Sequence, residues 1–211
     1  MIFDLISGQL NIITFLIWAA SLILAVAFHE FSHALAADKL GDSTPRLFGR
    51  LTLNPLAHLD PLGTLLILIS GFGWGKPTPV NPMNMEDPRR DSAIVSLAGP
   101  VSNIIMAALL ALPIRMGLWW GVFFLPAVVL NVGLAIFNLI PIYPLDGFKI
   151  VGGALPAEFD AGWEQTARYG YLLLLFLVFF PMGNFSLLSG FVQPISQRIL
   201  GLIIGGSFPG L

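Results

Sequence analysis

From Leu10 to Ala37 the chain carries no glycine or proline, and only His29, Glu30 and His33 in that stretch can ionise. A helix over these residues is ~40 Å long at ~1.5 Å per residue, longer than the ~30 Å hydrocarbon core of a bilayer. The rest of the chain decides between a buried helix and a membrane span. Of 211 residues, 56% are hydrophobic and only 10% charged, with a mean hydropathy of +0.84. Soluble domains carry about 25% charged residues. The run has no basic stretch before it, Asp4 being the only early charge, and no cleavage-site pattern follows. It therefore reads as a retained transmembrane helix rather than a signal peptide.

Further spans follow from the same reasoning. Residues 38–61 are polar and broken by Gly41, Pro45, Gly49 and Pro55. Within them Arg46–Leu53 reads as a short strand. Leu62–Phe72 is apolar but too short to span, which suggests a re-entrant piece. Trp74–Pro82, with three prolines, reads as an extended edge, and the two strand-like pieces are expected to pair as a hairpin. Asp91-Ser92 can cap a second span running to about Leu112. A third runs from about Leu118 to Ile142, and Tyr169–Phe180 and Leu187–Ile204 add one or two more. The expected fold is an all-α membrane bundle of four to five spans with a short β-hairpin-like element at the membrane face. It forms a single domain over 1–211, with a core at 10–150 and C-terminal helices at 165–206.

Charge sets the expected orientation. Lys39, Arg46, Arg50, Lys76, Arg89, Arg90, Lys149 and Arg168 fall on one side, and Arg115 stands alone on the other. By the positive-inside rule the N-terminus lies outside the cell membrane. The inner ends of the first and third spans then share the cytoplasmic side. A net charge of −2 argues against a nucleic-acid partner. With no cysteine, any metal must be held by His, Asp or Glu.

His29-Glu30-Phe31-Ser32-His33 is an HExxH motif near the inner end of the first span. Residues four apart stack on one helix face, so His29 and His33 can grip one tetrahedral Zn²⁺. Glu30, beside them, can reach a metal-associated water as general base. The bland alternative is a set of polar residues tolerated near a helix end. Ionisable groups inside a span are costly, however, and three in five residues call for a compensating partner such as a dication.

A catalytic site needs a third protein ligand and an open fourth position. Asp146, in Asn138-Leu-Ile-Pro-Ile-Tyr-Pro-Leu-Asp-Gly147, is the only acid between Asp91 and Glu158. Pro141 and Pro144 prevent a regular helix there and free the carboxylate to swing toward the first span. His58, in a turn-rich segment on the same side, is the rival third ligand. Asn103, in a small-residue stretch of the second span, is expected to hydrogen-bond a neighbour, such as the Asp146 segment, behind the ligands. Asn131 has a similar but weaker signal.

HExxH on an apolar helix, followed over a hundred residues later by N-x-x-P-x-x-P-L-D-G, resembles the site-2 protease family of intramembrane zinc metalloproteases. Gly49-Arg-Leu-Thr-Leu-Asn-Pro55, Gly75-Lys-Pro-Thr-Pro-Val-Asn-Pro82 and Ala98-Gly-Pro-Val-Ser-Asn103 extend the resemblance over roughly residues 25–150. It implies one zinc per chain on His29, His33 and Asp146, with Glu30 as catalytic base. It also implies that Asn138 contacts the substrate backbone or the oxyanion, and that the substrate is a transmembrane protein or peptide. The loops are too short to hold the family's PDZ or CBS domains, so a minimal member is expected. Two other classes stay open: a membrane metal or proton transporter, and a non-catalytic membrane scaffold. A transporter would place several ligand clusters along a path, and a scaffold has no use for Glu30 beside the ligand pair.

Overall fold

The structure is a computed structural model that describes residues 11–70, 73–182 and 185–206. Leu10 and Phe72, which bound two of the expected segments, lie outside them. The chain is mostly helical. Helix α1 spans Ile12–Lys39, and Asn11 caps it by accepting from the Ile13 N–H at 2.8 Å. A single helical turn, α2, spans Thr44–Leu47, and α3 spans Pro61–Ser70. Helix α4 covers Pro88–Arg115, and a 3₁₀ turn at Trp119–Phe124 leads into α5, Leu125–Asn138. Then come α6, Asp146–Ala154, α7, Asp160–Phe179, and α8, Leu187–Ile204. Two-residue strands β1, Pro181–Met182, and β2, Phe185–Ser186, pair between α7 and α8.

Three described helical segments are long and apolar enough to cross a membrane: Ile12–Lys39, Pro88–Arg115 and Trp119–Asn138. Their packing is that of a membrane bundle. Small residues Ala107 and Ala111 are buried where α4 meets α5 and α8, together with Val128, Val132, Leu200 and Ile204. Large residues face outward instead, among them Leu16, Leu24, Ile105, Leu109 and Leu112. Helices in lipid gain nothing by hiding leucine from hydrocarbon, so small residues take the interfaces and allow close approach. The protein is a membrane protein by this pattern. Helix α4 is the central element and touches α1, α5, α6 and α8.

Helix α4 starts earlier than the Asp91-Ser92 cap implies. Asp87 accepts from the Arg90 N–H, and Asp91 reaches back to accept from the Asp87 N–H, both at 3.1 Å. Pro88 fits the first turn because that position has no intrahelical use for an N–H. Arg89 then closes the other end of the neighbouring helix. Its guanidinium donates to the carbonyls of Gly152 and Leu155 at the C-terminus of α6 and lies 3.2 Å from Asp160. A cation at unpaired terminal carbonyls stabilises a helix end, and here it fixes α6 against α4.

The expected hairpin of Arg46–Leu53 with Trp74–Pro82 is not formed. Pro45 sits in the first turn of α2, where its fixed φ favours helix, and Gly49 turns the chain with φ +68°. Residues 74–82 are extended up to a 3₁₀ turn at Pro82, but their bridge runs from Gly75 to Leu59. The described segments between α1 and α4 form a cap, which Arg50 stitches together by donating to the carbonyls of Ala57 at 2.8 Å and Lys76 at 3.0 Å.

Asp42 anchors the same cap. It is fully buried and accepts from the Thr44 N–H and hydroxyl, the Asn81 N–H and the Asn84 amide, at 2.5–3.0 Å. Burial pushes its carboxyl up, but these donors outweigh that and hold it below the ordinary carboxylate range. A depressed folded value means the stabilisation is full above the unfolded value near pH ~3.9 and is lost as pH falls through the folded value. We expect Asp42→Ala to cost roughly 3 kcal/mol at neutral pH, because buried donors lose a charged acceptor. Thermal unfolding in detergent at pH 7 and pH 3 checks this: the deficit should shrink at the lower pH.

Candidate metal centre

The HExxH helix carries both imidazoles on the buried face of α1, turned toward α4. His29 Nε2 and His33 Nε2 stand 3.0 Å apart. Asp146 Oδ2, on the first residue of α6, lies 3.1 Å from the former and 3.3 Å from the latter. The loop that carries it, residues 139–145, folds back tightly. A Cβ on Gly147 would stand 2.3 Å from the Leu139 carbonyl oxygen, so only glycine fits the return.

The outer nitrogens of both rings are committed. His33 Nδ1 is 2.7 Å from the Val95 carbonyl, which can only accept, so that nitrogen carries the hydrogen. His29 Nδ1 is 2.7 Å from Asn103 Oδ1 and donates in the same way. Neutral rings held so must present bare lone pairs at both Nε2 atoms. These point at each other and at Asp146 Oδ2, a buried oxygen with no hydrogen-bond donor. Three electron-rich atoms converging without a hydrogen between them need a cation, and the His₂Asp set suits zinc with a free position. The residues fit the metal.

Gly99 and Thr78 complete the surroundings. A Cβ on Gly99 would lie 2.5 Å from His33 Nε2 and 2.6 Å from His29 Cε1, so a bare backbone is what lets the rings approach α4. The stretch Ala98-Gly-Pro-Val-Ser-Asn103 reads from sequence as a packing motif, and what it packs against is the ligand pair. Thr78 was not singled out by sequence: its N–H donates to Glu30 Oε2 at 2.8 Å and its hydroxyl to the Glu30 carbonyl at 3.0 Å. The signal was the Gly75–Pro82 segment, whose extended shape aims the Thr78 amide at α1.

The other candidates separate. Asn103 is fully buried and hydrogen-bonds a neighbour behind the ligands, as expected, though that neighbour is His29 and not the Asp146 segment. His58 is not one of the converging donors. It is fully buried in the cap, and its Nε2 donates to the Thr52 carbonyl at 2.8 Å. The rival third ligand is therefore a packing residue, held by the turn that was its only recommendation. Asn138 ends α5 and donates to the Leu134 carbonyl one turn back at 3.0 Å. That bond ties its amide to its own helix.

The chain is similar to known proteins over most of its length. The chain is 42% identical over 179 residues to the "Putative zinc metalloprotease YwhC" of Bacillus subtilis, covering 79% of this chain and 82% of that one. It is 31% identical over 185 residues to the "Putative zinc metalloprotease Rip2" of Mycolicibacterium smegmatis, covering 81% of this chain and 69% of that one. Against the protein of the same name from Mycobacterium tuberculosis the identity is 32%, with the same coverage. No family model matches, and no solved structure matches. A zinc-capable His₂Asp cluster in a bundle of membrane-length helices, with relatives of this kind along most of its length, places the chain in the site-2 protease family of zinc metalloproteases.

Proposed function

We propose that the protein hydrolyses peptide bonds of transmembrane substrates within the bilayer, using one zinc ion held by His29, His33 and Asp146. The observation that carries this is the convergence of two Nε2 lone pairs and a buried carboxylate oxygen within 3.3 Å of one another. Zinc, when bound, supplies Lewis-acid activation of water and stabilisation of the negative charge that develops on the scissile carbonyl. Glu30 then acts as general base. With Oε2 held by the Thr78 N–H, its other oxygen takes the proton from the attacking water and returns it to the leaving amine.

Helix geometry supports a site inside the membrane. Gly99 lies against the imidazoles, and Arg115 is about 24 Å further along α4 at ~1.5 Å per residue. Arg90 is about 14 Å away in the other direction. A ~30 Å hydrocarbon slab between these charged ends contains the centre, nearer the Arg90 side. The basic residues of the 40–87 cap make that side cytoplasmic under the positive-inside rule, with the N-terminus outside. A helical substrate hides its carbonyls, so it must unwind before cleavage. The extended Lys76–Val80 segment, which already reaches Glu30 through Thr78, offers a ledge beside which an unwound strand lies.

The test is cleavage of a model transmembrane peptide by purified protein in detergent or vesicles. We expect cleavage to stop with a zinc chelator and return with added zinc. Cleavage indifferent to chelation would overturn the proposal.

A further inference from the structure

The ring orientation of His29 is set from three helices, and the chain of hydrogen bonds that sets it does not stop at Asn103. Asn131 on α5, itself buried, donates from Nδ2 to the Ala127 carbonyl at 2.8 Å. That leaves its Oδ1 to face α4, where it accepts from Asn103 Nδ2 at 2.8 Å. The second hydrogen of the same Asn103 amide goes to the Ala25 carbonyl on α1 at 3.1 Å. Asn103 Oδ1 is thereby aimed at His29 Nδ1.

Each direction in this chain is forced. Backbone carbonyls only accept, so Ala127 fixes the sense of the Asn131 amide and Ala25 that of the Asn103 amide. Turning either amide over would oppose two acceptors in a buried site, at a cost of a few kcal/mol. The consequence reaches the metal centre. With Asn103 locked, His29 can donate only from Nδ1, and its Nε2 lone pair must face His33 and Asp146.

We infer that Asn131 is a positioning residue for the metal: acting through Asn103, it holds His29 in the tautomer and ring orientation that bind a cation. The inference rests on reading His29 as a ligand. Metal-ligating histidines are commonly oriented by such an outer partner, whose loss weakens metal affinity ~10–100-fold. Here the partner is a two-amide relay anchored on two backbone carbonyls. Asn131 touches neither metal nor substrate.

Zinc affinity, measured by chelator competition on the purified full chain, tests this, together with thermal unfolding of the metal-free protein. Asn131→Leu removes the acceptor for Asn103, whereas Asn131→Asp, as the neutral acid with its hydroxyl donating to the Ala127 carbonyl, keeps it. The expected result is zinc binding at least ten-fold weaker in Asn131→Leu and within about three-fold of wild type in Asn131→Asp. Metal-free unfolding temperatures should not follow that order, since a packing role would move stability rather than affinity. Should Asn131→Leu fail to accumulate, Asn131→Ser breaks the link in a polar side chain and is compared in its place. Zinc affinity that is unchanged in the link-breaking variant, or lost equally in both, overturns the inference. His29→Ala serves as the control: retained zinc there defeats the site itself, whereas lost zinc with an unaffected Asn131→Leu defeats only the relay.

Discussion

Replacing Glu30 with glutamine should lower peptide cleavage by ~10²–10⁴-fold, the range typical for loss of a general base, while zinc content stays at the wild-type level. The substitution is close to isosteric. Its side-chain oxygen still accepts from the Thr78 N–H, so the contact that holds position 30 survives and only proton transfer is lost. Neither His29 nor His33 depends on the Glu30 side chain for its outer hydrogen bond, which runs to Asn103 and Val95 respectively. Zinc analysis and a cleavage assay on the same preparation check both halves. A metal transporter or scaffold would be little altered by this change, so undiminished function alongside bound zinc would point there instead.

A single methyl group at Gly99 should impair the centre by a different route, through the metal rather than the base. Inside a helix, alanine is favoured over glycine by ~0.5–1 kcal/mol, so on backbone grounds Gly99→Ala stabilises α4. Yet the added Cβ would stand 2.5 Å from both Cε1 and Nε2 of His33 and 2.6 Å from His29 Cε1, inside van der Waals contact. The rings are pinned from behind by Val95 and Asn103 and cannot simply retreat. The displaced pair should bind zinc at least ten-fold more weakly, as expected when ligand orientation is disturbed. The metal-free protein should also unfold at a somewhat lower temperature, because an overlap with rings that cannot retreat costs ~1–3 kcal/mol, more than the helix preference for alanine returns. A variant with full zinc affinity would mean that the helices separate more easily than this packing implies.

The parts of this protein legible in its sequence are those written in short, local patterns. HExxH encodes its own geometry, because residues four apart meet on any helix, and long apolar runs mark spans wherever they occur. Asp146 stood out by being a lone acid in an apolar region. Less legible were contacts made by backbone atoms across long separations. Residues 75–82 read as extended, but not as bringing the Thr78 amide to Glu30, and Gly99 looks like any small residue at a helix interface until the neighbouring ring is seen. The Arg46–Leu53 segment failed as a strand because its alternation was outweighed by Pro45 just before it and by the buried Asp42, whose acceptors favour a turn. His58 follows the bland reading of a loop histidine rather than the rival one as a third ligand: it is buried and its Nε2 donates to the Thr52 carbonyl.

The account stands on whether a carboxylate from α6 shares a cation with the two imidazoles of α1. Zinc quantified in purified wild type, Asp146→Ala and His58→Ala addresses this most directly. The expected result is about one zinc per chain in wild type and in His58→Ala, with little in Asp146→Ala, in keeping with three protein ligands around an open position. Wild-type protein without affinity for zinc, or Asp146→Ala with its full complement, would contradict it.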